Sequence, residues 1–269
     1  MIANVLSIAG SDPSGGAGVQ ADLKTFSALG CYGMAALTAL TAQNTRGVSA
    51  VVVLEPAFVA AEIDAVFEDI AVDAVKIGML ANAATVRAVA ARLQHWRPAH
   101  VVLDPVLVAT SGDSLGADDV VAAMVEHLFP LASLVTPNLP ETARLAGVVE
   151  PAGLDEMKAA GARLRALGAH AVLVKGGHGQ TSMATDVLST AQGDHIFSAP
   201  RIDTRNTHGT GCSLSSAIAA RLAQGAGLRE AVGDAKAWLT DALRTADALR
   251  VGHGHGPVHH FHALWANRA

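Results

Sequence analysis

Cysteine, aromatic side chains and blocks of like charge are what this sequence has least of. Its two cysteines, Cys31 and Cys212, cannot build a disulfide framework, which suits a reducing compartment. With a net charge of −5, a pI near 6.1 and no basic stripe, the chain lacks the usual footprint of a nucleic-acid binder. Aromatics make up only 4% of residues while hydrophobic residues reach 51%. Alanine and valine therefore carry the apolar content, as in an alanine-rich helical shell around valine-rich strands. The N-terminus, MIANVLSIAGSD, has no basic leader and turns polar at Ser11 and Asp12, which makes a poor signal peptide. Thr25 to Thr45 carries no charge, but it is built from small residues and ends in Gln43 and Asn44. Its transfer energy is weak, so a buried strand following a helix is expected rather than a membrane span. A cytoplasmic protein is expected. At 269 residues, with no linker or repeat, the chain reads as a single domain over 1–269.

What is present alternates. NVLSIAG reads as a first strand, and Val19, Leu23 and Phe26 then mark one helical face closed by Gly30. GMAALTAL, VSAVVVLE, DAVKIGML, AHVVLDPV, SLVTPN and AHAVLVKGG read as further strands, with helices between most of them, including Phe58 to Ile70. MATDVLST and HIFSAP suggest a late hairpin, followed by helices near Gly211–Gln224 and Leu228–Leu249. Continuous apolar strands alternating with helices imply an α/β fold, a mainly parallel sheet covered on both faces. The stretches GSDPSGGAG, AQNT, KIGML, DPVLVATSGD, TPNLPE and VKGGHG each follow an expected strand. They gather at the carboxyl edge of the sheet, where open α/β folds bind ligands.

Several residues at that edge carry chemistry. In HGTGC, Gly209 and Gly211 let backbone approach a ligand, and the amides from Gly209 to Cys212 can converge on an anion. A glycine-rich helix start around a buried cysteine is the plainer reading of that turn alone. Helix N-termini favour thiolate, so a lowered Cys212 pKa is expected, fitting a general base or a nucleophile. Cys31 lacks such a setting and reads as packing. Asp104 and Glu141, with Asn138 nearby, suit a magnesium ion carrying phosphate; singly, each reads as a cap or loop carboxylate. Lys175 ends an apolar strand beside two glycines, where its ammonium can meet phosphate. The tail GHGHGPVHHFH offers His253, His255, His259, His260 and His262, but its glycines and Pro257 break metal-site geometry. It reads as a structural closing segment.

Taken jointly, AGSDPSGGAGVQADLKT, LTAQNT, KIGML, TPNLPE, LVKGGH, NTHGTGCSLSSAIA and GPVHHFH resemble the hydroxymethylpyrimidine/phosphomethylpyrimidine kinases of thiamin biosynthesis, over nearly the full chain. The resemblance implies a ribokinase-like sandwich, commonly a homodimer, and two successive phosphoryl transfers from ATP with Mg2+. The acceptors it implies are 4-amino-5-hydroxymethyl-2-methylpyrimidine and then its monophosphate. It assigns the pyrimidine edge to Gln43, with Asp22, Ala17, Met79, Val106 and His208 on the same substrate side. Gly209, Thr210, Gly211 and Cys212 become the anion hole and base; most ribokinase-like kinases use aspartate where this chain has Cys212. Asn138 and Glu141 match the Asn-x-x-Glu motif, and Asp104 and Lys175 help position metal and ATP.

The same scaffold serves pyridoxal kinases, and Gln43 favours pyrimidine over pyridine. A non-catalytic pyrimidine-binding regulator would not need Cys212, Glu141, Asp104 and Lys175 together. A thiol- or metal-based protein using Cys212 and the tail is a remote alternative. Two polar, glycine-containing stretches, Ser111–Leu115 and Gly176–Met183, are candidate lids.

Overall fold

The computed structural model describes residues 1–107, 118–177 and 182–265. Nine strands form one sheet in the order β3-β2-β1-β4-β5-β6-β7-β8-β9. They are β1 (Asn4–Ser11), β2 (Tyr32–Asn44), β3 (Gly47–Val53), β4 (Ala74–Ile77), β5 (Val101–Leu103), β6 (Leu134–Val135), β7 (Val172–Lys175), β8 (Met183–Thr190) and β9 (Gly193–Pro200). The six strands from β2 through β7 in spatial order run parallel, and β3, β8 and β9 are antiparallel additions at the two edges. The expected late hairpin is β8–β9.

Alternation along the strands sorts side chains between two apolar layers. Leu6, Ile8, Val75, Ile77, Leu103 and Val174 face one core, which holds Val59 and Ile63 of α2 (Pro56–Asp69) and Val86, Val89 and Leu93 of α3 (Ala83–Trp96). Val5, Val102, Leu134 and Leu173 face the other, with Phe26 of α1 (Gly18–Ala28), Leu214 and Ile218 of α7 (Thr210–Ala223), and Val232 of α8 (Leu228–Arg244). The first layer also takes α4 (Asp118–Ala123), α5 (Leu139–Ala146) and α6 (Leu154–Ala166). Helix α8 stops at Arg244, short of the expected Leu249, and a 3-10 turn, Ala246–Ala248, follows.

One expectation needs correcting. AQNT does sit at the end of a strand, but that strand outruns GMAALTAL: β1 pairs with β2 only as far as Ser11 opposite Leu40, and β2 runs on to Asn44, paired with β3 alone. Gln43 therefore stands on a two-stranded extension beyond the sheet edge. The tail closes the molecule against this hairpin, since the His255 amide donates to the Thr45 carbonyl at 3.0 Å and Pro257 bridges His208.

Candidate active site

The floor of the site follows from strand parity. Ser7 lies between Leu6 and Ile8, Lys76 between Val75 and Ile77, and Asp104, Thr136 and Lys175 come one residue after or two beyond layer-facing positions. All five project toward the α1/α7 layer. There they meet Asp22 of α1 and the first turns of α7. Lys76 and Asp22 form an ion pair at 2.9 Å with both side chains at 0% exposure. Asp22 also accepts the hydroxyls of Ser7 at 2.6 Å and Ser216 at 2.7 Å. A second pair joins Lys175 Nζ to Asp104 Oδ1 at 2.8 Å, and Thr136 adds a hydroxyl at 3.1 Å. Burial disfavours each of these charges, but the partners win: Asp22 holds the Lys76 ammonium above its ordinary value, and Lys175 and Lys76 hold the Asp104 carboxyl below its own.

Above the floor sits the glycine turn. Gly209 has a φ of +76° and caps α7 without side-chain help; a Cβ there would collide with the Gly16 carbonyl oxygen. Only glycine suits that position. A Cβ on Gly211 would stand 3.3 Å from Lys175 Nζ and 3.6 Å from Asp104 Oδ2, so the turn lies against the second ion pair. Gly211 and Cys212 occupy the first helical turn, where amides have no intrahelical acceptor and the dipole adds positive charge.

Cys212 corrects an expectation. Its thiol is not lowered: burial pushes it up to about 11, with Asp22 and Asp104 adding, against Lys76 and a hydrogen bond from the Gly18 amide. A helix N-terminus and one amide do not offset two nearby carboxylates in a desolvated site. Cys31 is also raised by burial.

The substrate-side residues assemble unevenly. Gln43 Nε2 stands 3.5 Å from His208 Nε2, and its Oε1 accepts the Thr41 hydroxyl at 3.2 Å. His208 Nε2 meets Asp12 Oδ2 at 2.8 Å, and the Ala17 amide donates to the same oxygen at 2.8 Å. Met79 lies against Gly10, where a Cβ would press on its terminal methyl at 2.5 Å. Gln43, His208, Ala17 and Met79 thus surround the loop after β1, while half-buried Val106 follows Asp104. Asp22 is the exception. Fully buried and saturated by Lys76, Ser7 and Ser216, it supports the floor and does not line the pocket.

Asn138 and Glu141 form a capping box on α5, each side chain and backbone exchanging bonds at 2.8 Å. The plainer reading of these residues therefore holds locally. Glu141 has more to it, because burial raises its carboxyl to about 7, with Lys175 pulling the other way. An uneasy carboxylate beside Asp104 and Lys175 is relieved by an added cation. Among the described residues, no group of three or more His, Cys, Asp or Glu could hold a metal ion. Magnesium arriving on nucleotide phosphates needs only one or two carboxylates, so Asp104 and Glu141 fit it.

In the tail, Ser213 Oγ meets His260 Nε2 at 3.0 Å; burial, with Lys24 beside it, drives His260 down to about 3, so the ring is neutral. The segment closes over α7, as expected. The candidate lid Ser111–Leu115 lies outside the described residues, as do positions 178–181 of Gly176–Met183. Sequence reading overlooked Asp12, Ser7, Ser216 and Lys76. Only Lys76 gives a clear signal, a charge inside the apolar run DAVKIGML.

A glycine turn at a helix N-terminus over the Lys175–Asp104 pair, at the carboxyl edge of a sheet of this order, marks a ribokinase-like small-molecule kinase. Solved structures agree. A Bacillus subtilis pyridoxal kinase in an ADP complex superposes with a TM-score of 0.91 at 36% identity, covering 99% of this chain and all (100%) of that one. A phosphomethylpyrimidine kinase from Clostridium difficile gives 0.80 at 41% identity, covering 90% and 99%. The chain belongs to the phosphomethylpyrimidine kinase family, whose model matches residues 12–259. The hydroxymethylpyrimidine/phosphomethylpyrimidine kinase of Escherichia coli K12 is 54% identical over 262 residues, 97% of this chain and 98% of that protein.

Proposed function

We propose that this protein phosphorylates 4-amino-5-hydroxymethyl-2-methylpyrimidine and then its monophosphate, using ATP, in thiamin biosynthesis. The observation carrying the reading is the Gly209–Cys212 turn, set over the Lys175–Asp104 pair and directly following His208, whose ring lies 3.5 Å from the Gln43 amide. In the first transfer the hydroxymethyl oxygen attacks the γ-phosphorus. The bond from that phosphorus to the β-bridging oxygen breaks, ADP leaves, and the hydroxyl proton passes to the Cys212 sulfur, whose own proton has first left to solvent. In the second, an oxygen of the monophosphate attacks, ADP leaves and a diphosphate forms. That oxygen is already ionised near neutrality, since the second phosphate pKa is about 6, so the second transfer needs no base.

Gly211 and Cys212 amides hold the transferring group, and positioning with charge neutralisation supplies most of the catalysis. Magnesium, held by Asp104 and Glu141, would neutralise phosphate charge. Gln43 offers a donor and an acceptor to the aminopyrimidine edge. The free thiols Cys31 and Cys212 suit a cytoplasmic enzyme. A homodimer is supported by β3, whose Val51, Val52 and Val53 are 42%, 60% and 42% exposed, an apolar patch a second copy would cover; sedimentation velocity tests it.

The likeness to a pyridoxal kinase at 36% identity favours a second activity on vitamin B6 alcohols. One experiment tests both: ADP release with the pyrimidine alcohol, its monophosphate and pyridoxal as separate acceptors. Turnover of both pyrimidines supports the reading, and turnover of pyridoxal alone overturns it.

A further inference from the structure

The Lys76–Asp22 pair, with Ser7 and Ser216, ties β4, β1 and α7 to α1, but the fold does not need a charge for that. Central parallel strands are ordinarily apolar on both faces, and replacing a buried ion pair with apolar groups of similar size is often neutral or stabilising. Yet β4 carries a lysine at 0% exposure, hydrogen-bonded to both oxygens of Asp22 at 2.9 Å. That carboxylate also takes the hydroxyl of Ser216, one turn past Cys212 on α7. Lys76 is so close beneath Gly78 that a Cβ there would sit 2.9 Å from its ammonium. Through Asp22 and Ser216 the ammonium is thus tied to α7 one helical turn from the thiol.

We propose that Lys76, pinned by Asp22, is a positioning residue that supplies the counter-charge to Cys212 during phosphoryl transfer to an alcohol. The proposal rests on the two-step reading above. For Cys212 to take the hydroxyl proton, its S–H bond must first break and that proton must leave to solvent. The charged groups acting on the sulfur are Lys76 of β4, Lys175 of β7, Asp22 of α1 and Asp104 after β5. Lys175 is committed to Asp104 and to the incoming phosphates. Lys76 is fully buried, and beyond its partner Asp22 its charge acts on the sulfur and on Asp104. The Gly18 amide, donating to the sulfur, supports the same ionised form.

A structural role and a charge role part company between the two acceptors. The alcohol needs the base and the monophosphate does not. The double variant Asp22→Asn/Lys76→Met removes the pair without leaving one charge buried. Its kcat for the alcohol should fall roughly 10–100-fold, and its kcat for the monophosphate distinctly less. The pH midpoint for iodoacetamide modification of Cys212, read by peptide mass spectrometry, should rise, because Lys76 acts on the sulfur more strongly than Asp22 opposes it. Equal losses on both acceptors, or an unmoved midpoint, overturn the proposal. Should the double variant not fold, Asp22→Asn alone deletes a carboxylate acting on the sulfur and should lower the midpoint; an unchanged or raised midpoint overturns it. If wild type phosphorylates neither pyrimidine, the functional reading fails by itself, and the alkylation shift still tests Lys76.

Discussion

Asp12 and His208 stand 196 positions apart in the chain and meet at 2.8 Å. The Asp12 carboxylate also accepts the amides of Ser14, Gly16 and Ala17 at 2.9, 3.2 and 2.8 Å. One carboxylate thus shapes the first glycine loop and ties it to the residue preceding the anion turn. Because Nε2 of His208 donates to Asp12, that nitrogen has no lone pair for Gln43, and the Gln43 amide nitrogen stays available to a ligand.

Asp12→Asn should destabilise the protein by about 1–3 kcal/mol at pH 7. Burial would raise this carboxyl, but the His208 and loop hydrogen bonds prevail and hold it below its ordinary 3.8. A lowered folded pKa means stability present above the unfolded value and lost as pH falls through the folded one. Urea melts at pH 7 and pH 3 should therefore show the gap between variant and wild type closing in acid. A gap equal at both pH values would show that the charge contributes nothing.

Gln43→Ala should weaken binding of the pyrimidine alcohol by roughly ten- to a hundredfold, the cost of an unpaired buried partner of about 1–3 kcal/mol. Gln43 sits on the exposed β2–β3 extension, so the melting temperature should not move. Unchanged KM and kcat for both pyrimidines would remove Gln43 from the site.

Glu141→Gln separates capping from charge. Glutamine still serves the third position of a capping box, so α5 is retained while the carboxylate is lost. Burial holds Glu141 up at about 7, above its ordinary 4.5. The folded protein therefore binds its proton more tightly than the unfolded chain, and that stability is lost as pH rises through 7. The variant should be more stable than wild type at pH 8, by about 1–3 kcal/mol, and the advantage should vanish at pH 4. In the same variant the magnesium concentration for half-maximal rate should rise. A magnesium titration that overlays wild type would leave Glu141 as a cap alone.

Much of this was legible in the sequence. The alternation of apolar runs with helical faces is a direct consequence of a covered parallel sheet, and the polar stretches collected at its carboxyl edge because strands point their ends there. Gly209, Gly211, Lys175 and Asp104 came together as the resemblance implies. What sequence could not supply was the balance of charge within a few ångströms. HGTGC at a helix start suggests a thiolate, but Asp22 and Asp104 come from distant segments, and only the fold brings them beside Cys212. Asp22 likewise looks like a pocket residue in QADLK until the fold turns Lys76 onto it. The long β2–β3 hairpin was missed because AQNT carries no marker distinguishing a turn from a strand that continues past its neighbour.

Cys212 carries the last prediction. With its thiol raised to about 11 in the unliganded site, iodoacetamide should modify it slowly at pH 7, and no faster than an ordinary exposed cysteine. The rate should climb steeply between pH 9 and 11, and bound ATP with magnesium should slow it by covering the turn. Cys212→Ala should keep KM for the pyrimidine alcohol and lose kcat by about 10²–10⁴, the range of a general base. Transfer to the monophosphate should fall far less, because its attacking oxygen has no proton to surrender. Cys212→Asp should recover part of the alcohol rate, since a carboxylate at this turn can take the same proton without the ionisation step a thiol of this kind requires. The two acceptors assayed side by side on one preparation give the answer. An alanine variant that phosphorylates the alcohol at the wild-type rate would make the thiol a packing group, and one that loses both acceptors equally would place its role in holding the transferring phosphoryl group.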